Sequence, residues 1–199
     1  MADIDVKEVK RLRELTGVGI TDAKKALVEA KGDFDKALEA MRKKGMTKAE
    51  KRGEREALSG VIGTYNHDGR IGVLVEVSCE TDFVARNEIF TEFVKDIAMH
   101  VAASNPEYLS QEAVPEEMLA EKRTEFTTKA KADGKPEKMI ENIIEGMLKK
   151  HFAERCLLDQ PFIKDQDKSV EQYTKEKIAK LGENILIRRF SRFELGEVS

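Results

Sequence analysis

Tryptophan is absent from this 199-residue chain, which also has only two cysteines, four prolines and three histidines. Each shortage closes off a class of protein. Aromatic residues make up 6%, too few to suggest a platform on which single-stranded bases stack. Cys79 and Cys156 stand far apart with no CxxC pair, so neither a disulfide framework nor a structural zinc site is supported. Both read as buried or free thiols. Nor is there an excess of one charge: 35 basic against 38 acidic residues leave −3, which argues against bare nucleic acid as the main partner. No run approaches the roughly 20 uncharged apolar residues of a membrane span, and Met1 to Lys10 contains no apolar segment resembling a signal peptide. The chain therefore reads as cytoplasmic, with no membrane partner.

Catalytic signatures are missing as well. There is no GxxxxGK[ST], GxGxxG, HExxH or GxSxG, and His67, His100 and His151 are isolated in sequence. Nothing local favours Cys79 as a nucleophile. Asp165, Asp167, Ser169 and Glu176 fall on positions 1, 3, 5 and 12 of a calcium-loop template, but Val170 stands where the sharp turn needs glycine. Ser169 as a helix cap explains the same residues. No metal or cofactor is expected.

What the chain does have is 40% hydrophobic and 37% charged residues, in a length about 1.3 times the one-domain prior. One medium domain and one small one are expected. Charge supports the division, with 15 basic and 12 acidic residues up to Leu58 against 20 and 26 after it. Residues 5 to 44 carry three short helical patterns. Val6, Val9, Leu12 and Leu15 recur at threes before Gly17-Val18-Gly19. Thr21 can cap a helix bearing Ala23, Ala26, Leu27 and Ala30, ended by Gly32. Asp33 can cap a third with Phe34, Ala37, Leu38 and Met41, ended by Gly45. Helices of this length are unstable alone and must pack together. A head over 1–45 is expected, followed by a charged linker over 46–58 and a core over 59–199. The linker reads as a solvated segment, with an RNA-binding arm as the alternative.

The core begins with a β-hairpin: Val61 to Tyr65 and Ile71 to Val77 flank a turn containing Asp68-Gly69. A helix follows with Phe90, Phe93, Val94, Ile97 and Val101 on one stripe, ending before Pro106. Glu116 to Ala132 and Glu137 to Ala153 read as a helical hairpin, with Met139, Ile143, Met147 and Leu148 facing inward. Ser169 can cap a last helix to Leu181, and Asn184 to Leu195 reads as a returning strand. The fold class is α+β, with a small antiparallel sheet and helices against it.

One segment combines polar and aromatic residues at a strand-to-helix junction: Cys79-Glu80-Thr81-Asp82-Phe83-Val84-Ala85-Arg86-Asn87. Thr81 or Asp82 can cap the helix, and periodicity alone would bury Phe83 with Phe90. The segment resembles the signature of the translation elongation factor Ts family. Leu12 to Gly19 with Asp22 and Lys24 to Leu27 is similar to the family's N-terminal motif. Leu158 to Asp165, and Gly182 to Ile185 with Arg188-Arg189-Phe190, are similar to further blocks, so the likeness spans nearly the whole chain.

The resemblance implies a ubiquitin-associated-like three-helix head that docks on elongation factor Tu, and a dimerisation-type core. It implies a non-enzymatic guanine-nucleotide exchange factor in which Thr81, Asp82, Phe83 and Val84 displace magnesium from Tu, with Phe83 as a wedge. Leu12, Lys24, His67, Leu181 and Gly182 carry over as further partner contacts. A homodimer without nucleic acid follows from the same likeness, since only one core unit is present. Where family members often read Gly-Met-Met-Asp-Cys-Lys, this chain has Gly19 to Lys24 as Gly-Ile-Thr-Asp-Ala-Lys. A binding module whose head recognises ubiquitin-like or nascent chains is the competing reading.

Overall fold

The computed structural model describes residues 5–16, 19–41, 52–53, 55–134 and 136–197. The expected breaks at Gly17-Val18 and Gly45, and much of the charged stretch 46–58, lie outside the described residues.

Helices α1 (Val6–Thr16), α2 (Ile20–Glu29) and α3 (34–41) enclose their own small core of Val9, Leu12, Ala23, Ala26, Leu27, Ala37 and Met41. The stripe on α1 is narrower than its spacing of three suggests: Val6 and Leu15 are exposed. Steps of three residues drift by about 60° each on a helix of 3.6 residues per turn, so only neighbouring members share a face. Asp33 caps α3 as expected, its Oδ1 accepting from Lys36 N at 3.1 Å. Thr21 does not cap α2. The helix starts one residue before it, and the Gly19 carbonyl accepts from Ala23 N at 3.0 Å.

The body is built on the antiparallel sheet β1 (Ser59–His67), β2 (Ile71–Cys79), β5 (Ile185–Glu194), in that order. Asp68 and Gly69, with φ of 50° and 70°, supply the left-handed backbone of the three-residue loop between paired His67 and Ile71, where Arg70 N donates to the His67 carbonyl at 2.9 Å. Alternate β2 residues Val73, Val75, Val77 and Cys79 point to one face, where helix α5 (Glu88–Ser104) covers them with Phe90, Phe93, Val94, Ile97 and Val101. Glycine is needed at position 63 for this contact, because a Cβ there would lie 2.3 Å from Val94 Cγ1. Arg188 is the extra residue of a bulge in β5, and its guanidinium bonds Ser78 Oγ at 3.2 Å and the Ala57 carbonyl at 2.9 Å.

Helices α6 (Glu116–Ala132) and α7 (Glu137–Ala153) form the expected hairpin with a second core. The inward stripe of α7 is Ile140, Ile144, Leu148 and Phe152; of the expected set, Leu148 is buried in it and Met147 packs against it, while Met139 is exposed. Its base is tied to the body by backbone bonds between Tyr108 and residues 155 and 157. The chain then makes a two-stranded ribbon, β3 (Pro161–Phe162) with β4 (Asp165–Ser169), before α8 (Val170–Leu181). Residues 165–169 are thus a strand rather than a loop. Ser169 and Gln172 form a reciprocal capping box at the start of α8.

Beneath α5 sits a buried polar set. Asp96 accepts from Tyr173 Oη at 2.7 Å and pairs with Lys164 at 2.6 Å. Fully buried His100 accepts from Ile163 N at Nδ1 (3.2 Å), so Nε2 carries the proton given to Gln160 Oε1 at 2.9 Å. Burial pulls the His100 pKa below the usual histidine value. Among the described residues, no helix is long and apolar enough to cross a membrane, and no group of three His, Cys, Asp or Glu side chains could hold a metal.

Candidate functional site

The strand-to-helix junction after β2 is where the sequence concentrates polar and aromatic residues, and its local geometry follows from two successive caps. Thr81, extended at φ −131° and ψ 153°, caps a single helical turn, α4 (Asp82–Ala85), its Oγ1 accepting from Val84 N at 3.4 Å. Six residues later Asn87, again extended, caps α5 by accepting from Ile89 N at 2.8 Å. The break between the two turns cancels the helical periodicity that would align Phe83 with Phe90. Phe90 is fully buried. Phe83 is 83% exposed, while its neighbours Val84 and Ala85 are buried against the sheet. A phenylalanine left in water costs the free energy its burial would recover, about 1.5 to 3 kcal/mol.

The turn after α8 is bonded to this junction. Leu181 and Gly182, both half-buried, close the helix, with Gly182 at φ 82°. Glu183 Oε2 accepts from Thr81 N at 3.0 Å and its Oε1 from Thr81 Oγ1 at 2.7 Å. In the opposite sense, Glu80 Oε1 accepts from Asn184 N at 2.6 Å. Buried Asn184 also donates through Nδ2 to the Arg55 carbonyl at 2.7 Å and the Gly53 carbonyl at 3.3 Å. The carbonyls of Gly53, Arg55 and Ala57 are therefore bonded to the body through Asn184 and Arg188. The Glu183 contact was invisible to sequence reasoning because 102 residues separate its partners. Its only trace was its place in the Gly182-to-Ile185 block.

The structure gathers some predicted site residues and separates others. Thr81 to Val84 lie beside Leu181 and Gly182. His67 lies at the opposite end of the β1–β2 hairpin, since Cys79 pairs with Ser59 while His67 pairs with Ile71. Eight residue steps along a strand place it about 27 Å away. There its Nδ1 is 3.0 Å from Tyr65 Oη. Lys24 is exposed on α2, whereas Leu12 is wholly buried in the head core and offers no surface to a partner in this conformation.

The chemistry available at the junction is that of a contact surface. Cys79 is buried with Sγ 3.2 Å from the Thr81 carbonyl. Its thiol pKa is pushed up to about 11, first by burial and then by the Glu183 carboxylate, opposite to what a nucleophile needs. Cys156 is likewise buried and raised to about 11.

The family model described as elongation factor Ts matches residues 7–197. The chain belongs to the elongation factor Ts family. It is 54% identical over 195 residues to the elongation factor Ts of Moorella thermoacetica, covering 98% of this chain and 96% of that one. The elongation factor Ts of Geobacter sulfurreducens is 52% identical over 195 residues, 98% of this chain and 90% of its own. That of Thermodesulfovibrio yellowstonii is 49% identical over 194 residues, 98% and 97%. An elongation factor Ts is a translation elongation factor, and the α+β body with its N-terminal helical module is the architecture the resemblance implied.

Proposed function

We propose that the chain is a guanine-nucleotide exchange factor for elongation factor Tu, acting by insertion of the Asp82-Phe83 turn and displacement of the magnesium that helps hold GDP. The observation that carries this is the exposure of Phe83 on a capped, fixed turn. An apolar side chain held outward is made to be buried elsewhere.

No reacting side chain is required. An exchange factor needs only to bind the nucleotide-free partner better than the loaded one, and the coupling is reciprocal. Shifting that balance by about 10⁴ takes roughly 5.5 kcal/mol of differential binding. Burial of one phenylalanine supplies at most about 3 kcal/mol, so Phe83 needs further contacts. Head residues 1–45, with Lys24, dock on the partner's nucleotide domain, and Leu181 and Gly182 add contact beside the wedge. His67, at the far end of the sheet, would meet a separate part of the partner.

The protein acts as a homodimer in this reading. On the sheet face opposite α5, Ile62, Leu74 and Phe193 are exposed around the Glu76–Arg189 ion pair (2.6 Å). A face with both charges and apolar groups can pair with a copy of itself about a two-fold axis.

Release of fluorescent GDP from elongation factor Tu in magnesium tests the proposal. Substoichiometric chain should accelerate release, and the acceleration should shrink when magnesium is chelated beforehand. Tight binding to Tu at the spontaneous release rate would instead favour a docking module.

A further inference from the structure

We infer that Glu183 is a positioning residue for the Phe83 turn, its carboxylate gripping Thr81 so that the wedge is held in its outward orientation before any partner arrives. The inference rests on the reading of Phe83 proposed above. Three observations lead to it.

Hydrogen bonding within so short a turn does not hold it. α4 is four residues long, and an isolated helical turn is unstable because nucleation fixes several dihedrals for one hydrogen bond. Val84 and Ala85 anchor its inner side on the sheet, but Phe83 is 83% exposed, so burial does not orient it. The grip is also placed at the residue that decides where α4 begins. Glu183 takes both donors of Thr81, the N–H and the hydroxyl, at 3.0 and 2.7 Å. A hydroxyl that donates to a carboxylate becomes a better acceptor, and Thr81 Oγ1 is the acceptor for Val84 N. Glu183, Thr81 and the first turn of α4 thus form one chain of bonds.

Finally, the arrangement is reciprocal. Glu80 accepts from Asn184 N as Glu183 accepts from Thr81 N, so each loop's glutamate holds the other loop's backbone. Both Glu183–Thr81 bonds are solvent-exposed, and exposed charged contacts add little to global stability. Their effect is to remove conformational freedom from the wedge, so that less is lost when it inserts and the inserted, GDP-releasing state of the complex is reached more readily.

The test compares GDP release from elongation factor Tu by the full chain and by Glu183→Ala, Thr81→Val, the double variant, Thr81→Ser and Phe83→Ala. Glu183→Ala and Thr81→Val should each lower the maximal release rate about tenfold, a change of about 1.4 kcal/mol in the barrier. Thr81→Ser, which keeps the hydroxyl, should restore the rate. The double variant should lose less than the two single losses combined, because the Glu183–hydroxyl bond is shared by both substitutions. The concentration for half-maximal release and the melting temperature should stay close to those of the unaltered chain. Wild-type rates in Glu183→Ala with slow release in Phe83→Ala would overturn the positioning role and leave the wedge. Wild-type rates in Phe83→Ala would overturn the wedge itself. Additive losses, or losses that track the melting temperature, would reduce Glu183 to an ordinary structural contact.

Discussion

Phe83 and Phe90 are seven residues apart and have opposite environments, one in water and one in the centre of the core. The difference predicts opposite responses to truncation. Phe83→Ala should change the unfolding free energy by less than about 0.5 kcal/mol, while Phe90→Ala should cost about 3 to 5 kcal/mol, both read from urea denaturation. Strong destabilisation by Phe83→Ala would mean that it packs where the exposed turn does not place it. His100 gives a second residue-scale prediction. Its Nδ1 faces the Ile163 N–H, so a second ring proton would set donor against donor. With the folded pKa below the ordinary value of 6.5, the unfolded chain takes up this proton first. The His100 contribution is complete above about pH 6.5 and is lost as pH falls below it towards the folded value. Melting curves at pH 7.5 and 5.5 should show a drop that is smaller in His100→Gln, and an equal drop in both proteins would exclude His100 as its source.

At the scale of elements, the strongest local signals were legible before any coordinates. The hairpin around Asp68-Gly69, the stripe of α5, the bounds of α6 and α7 and the Ser169 cap of α8 all stand where turn chemistry, periodicity and capping place them. What failed did so where a local rule met a non-local cause. The α7 stripe shifted by one residue because the position of α6, rather than the count of apolar residues, decides which side is inward. Ribbon β3–β4 carries the polar run Asp165 to Ser169 and gives no alternating pattern to read. Thr81 could be read as a cap, but the break at Asn87 that turns Phe83 outward was masked by the helical spacing to Phe90. Close packing of β1 on α5 adds an element-scale prediction. Gly63→Ala must push Val94 aside and should cost about 1 to 3 kcal/mol in urea denaturation, whereas the same change at Gly72, where a Cβ meets open space, should not incur this overpacking penalty.

At the scale of the molecule, the cores formed by the described residues share the work unequally. The body carries the sheet and the Phe83 turn, while the head encloses a core of its own and exposes Lys24, the residue that meets the partner in the function proposed above. If the face bearing Ile62, Leu74 and Phe193 joins two copies, light scattering should give about twice the 22.5 kDa of one chain. Leu74→Glu should then yield monomers of unchanged fold, and a monomeric unaltered chain would remove the dimer from the account. The central claim concerns one side chain acting on another protein, and GDP release from magnesium-saturated elongation factor Tu measures it most directly. The unaltered chain should speed release many-fold over the spontaneous rate, with Phe83→Ala at least tenfold slower at saturation. Equal rates for the two proteins, or no acceleration by either, would contradict it.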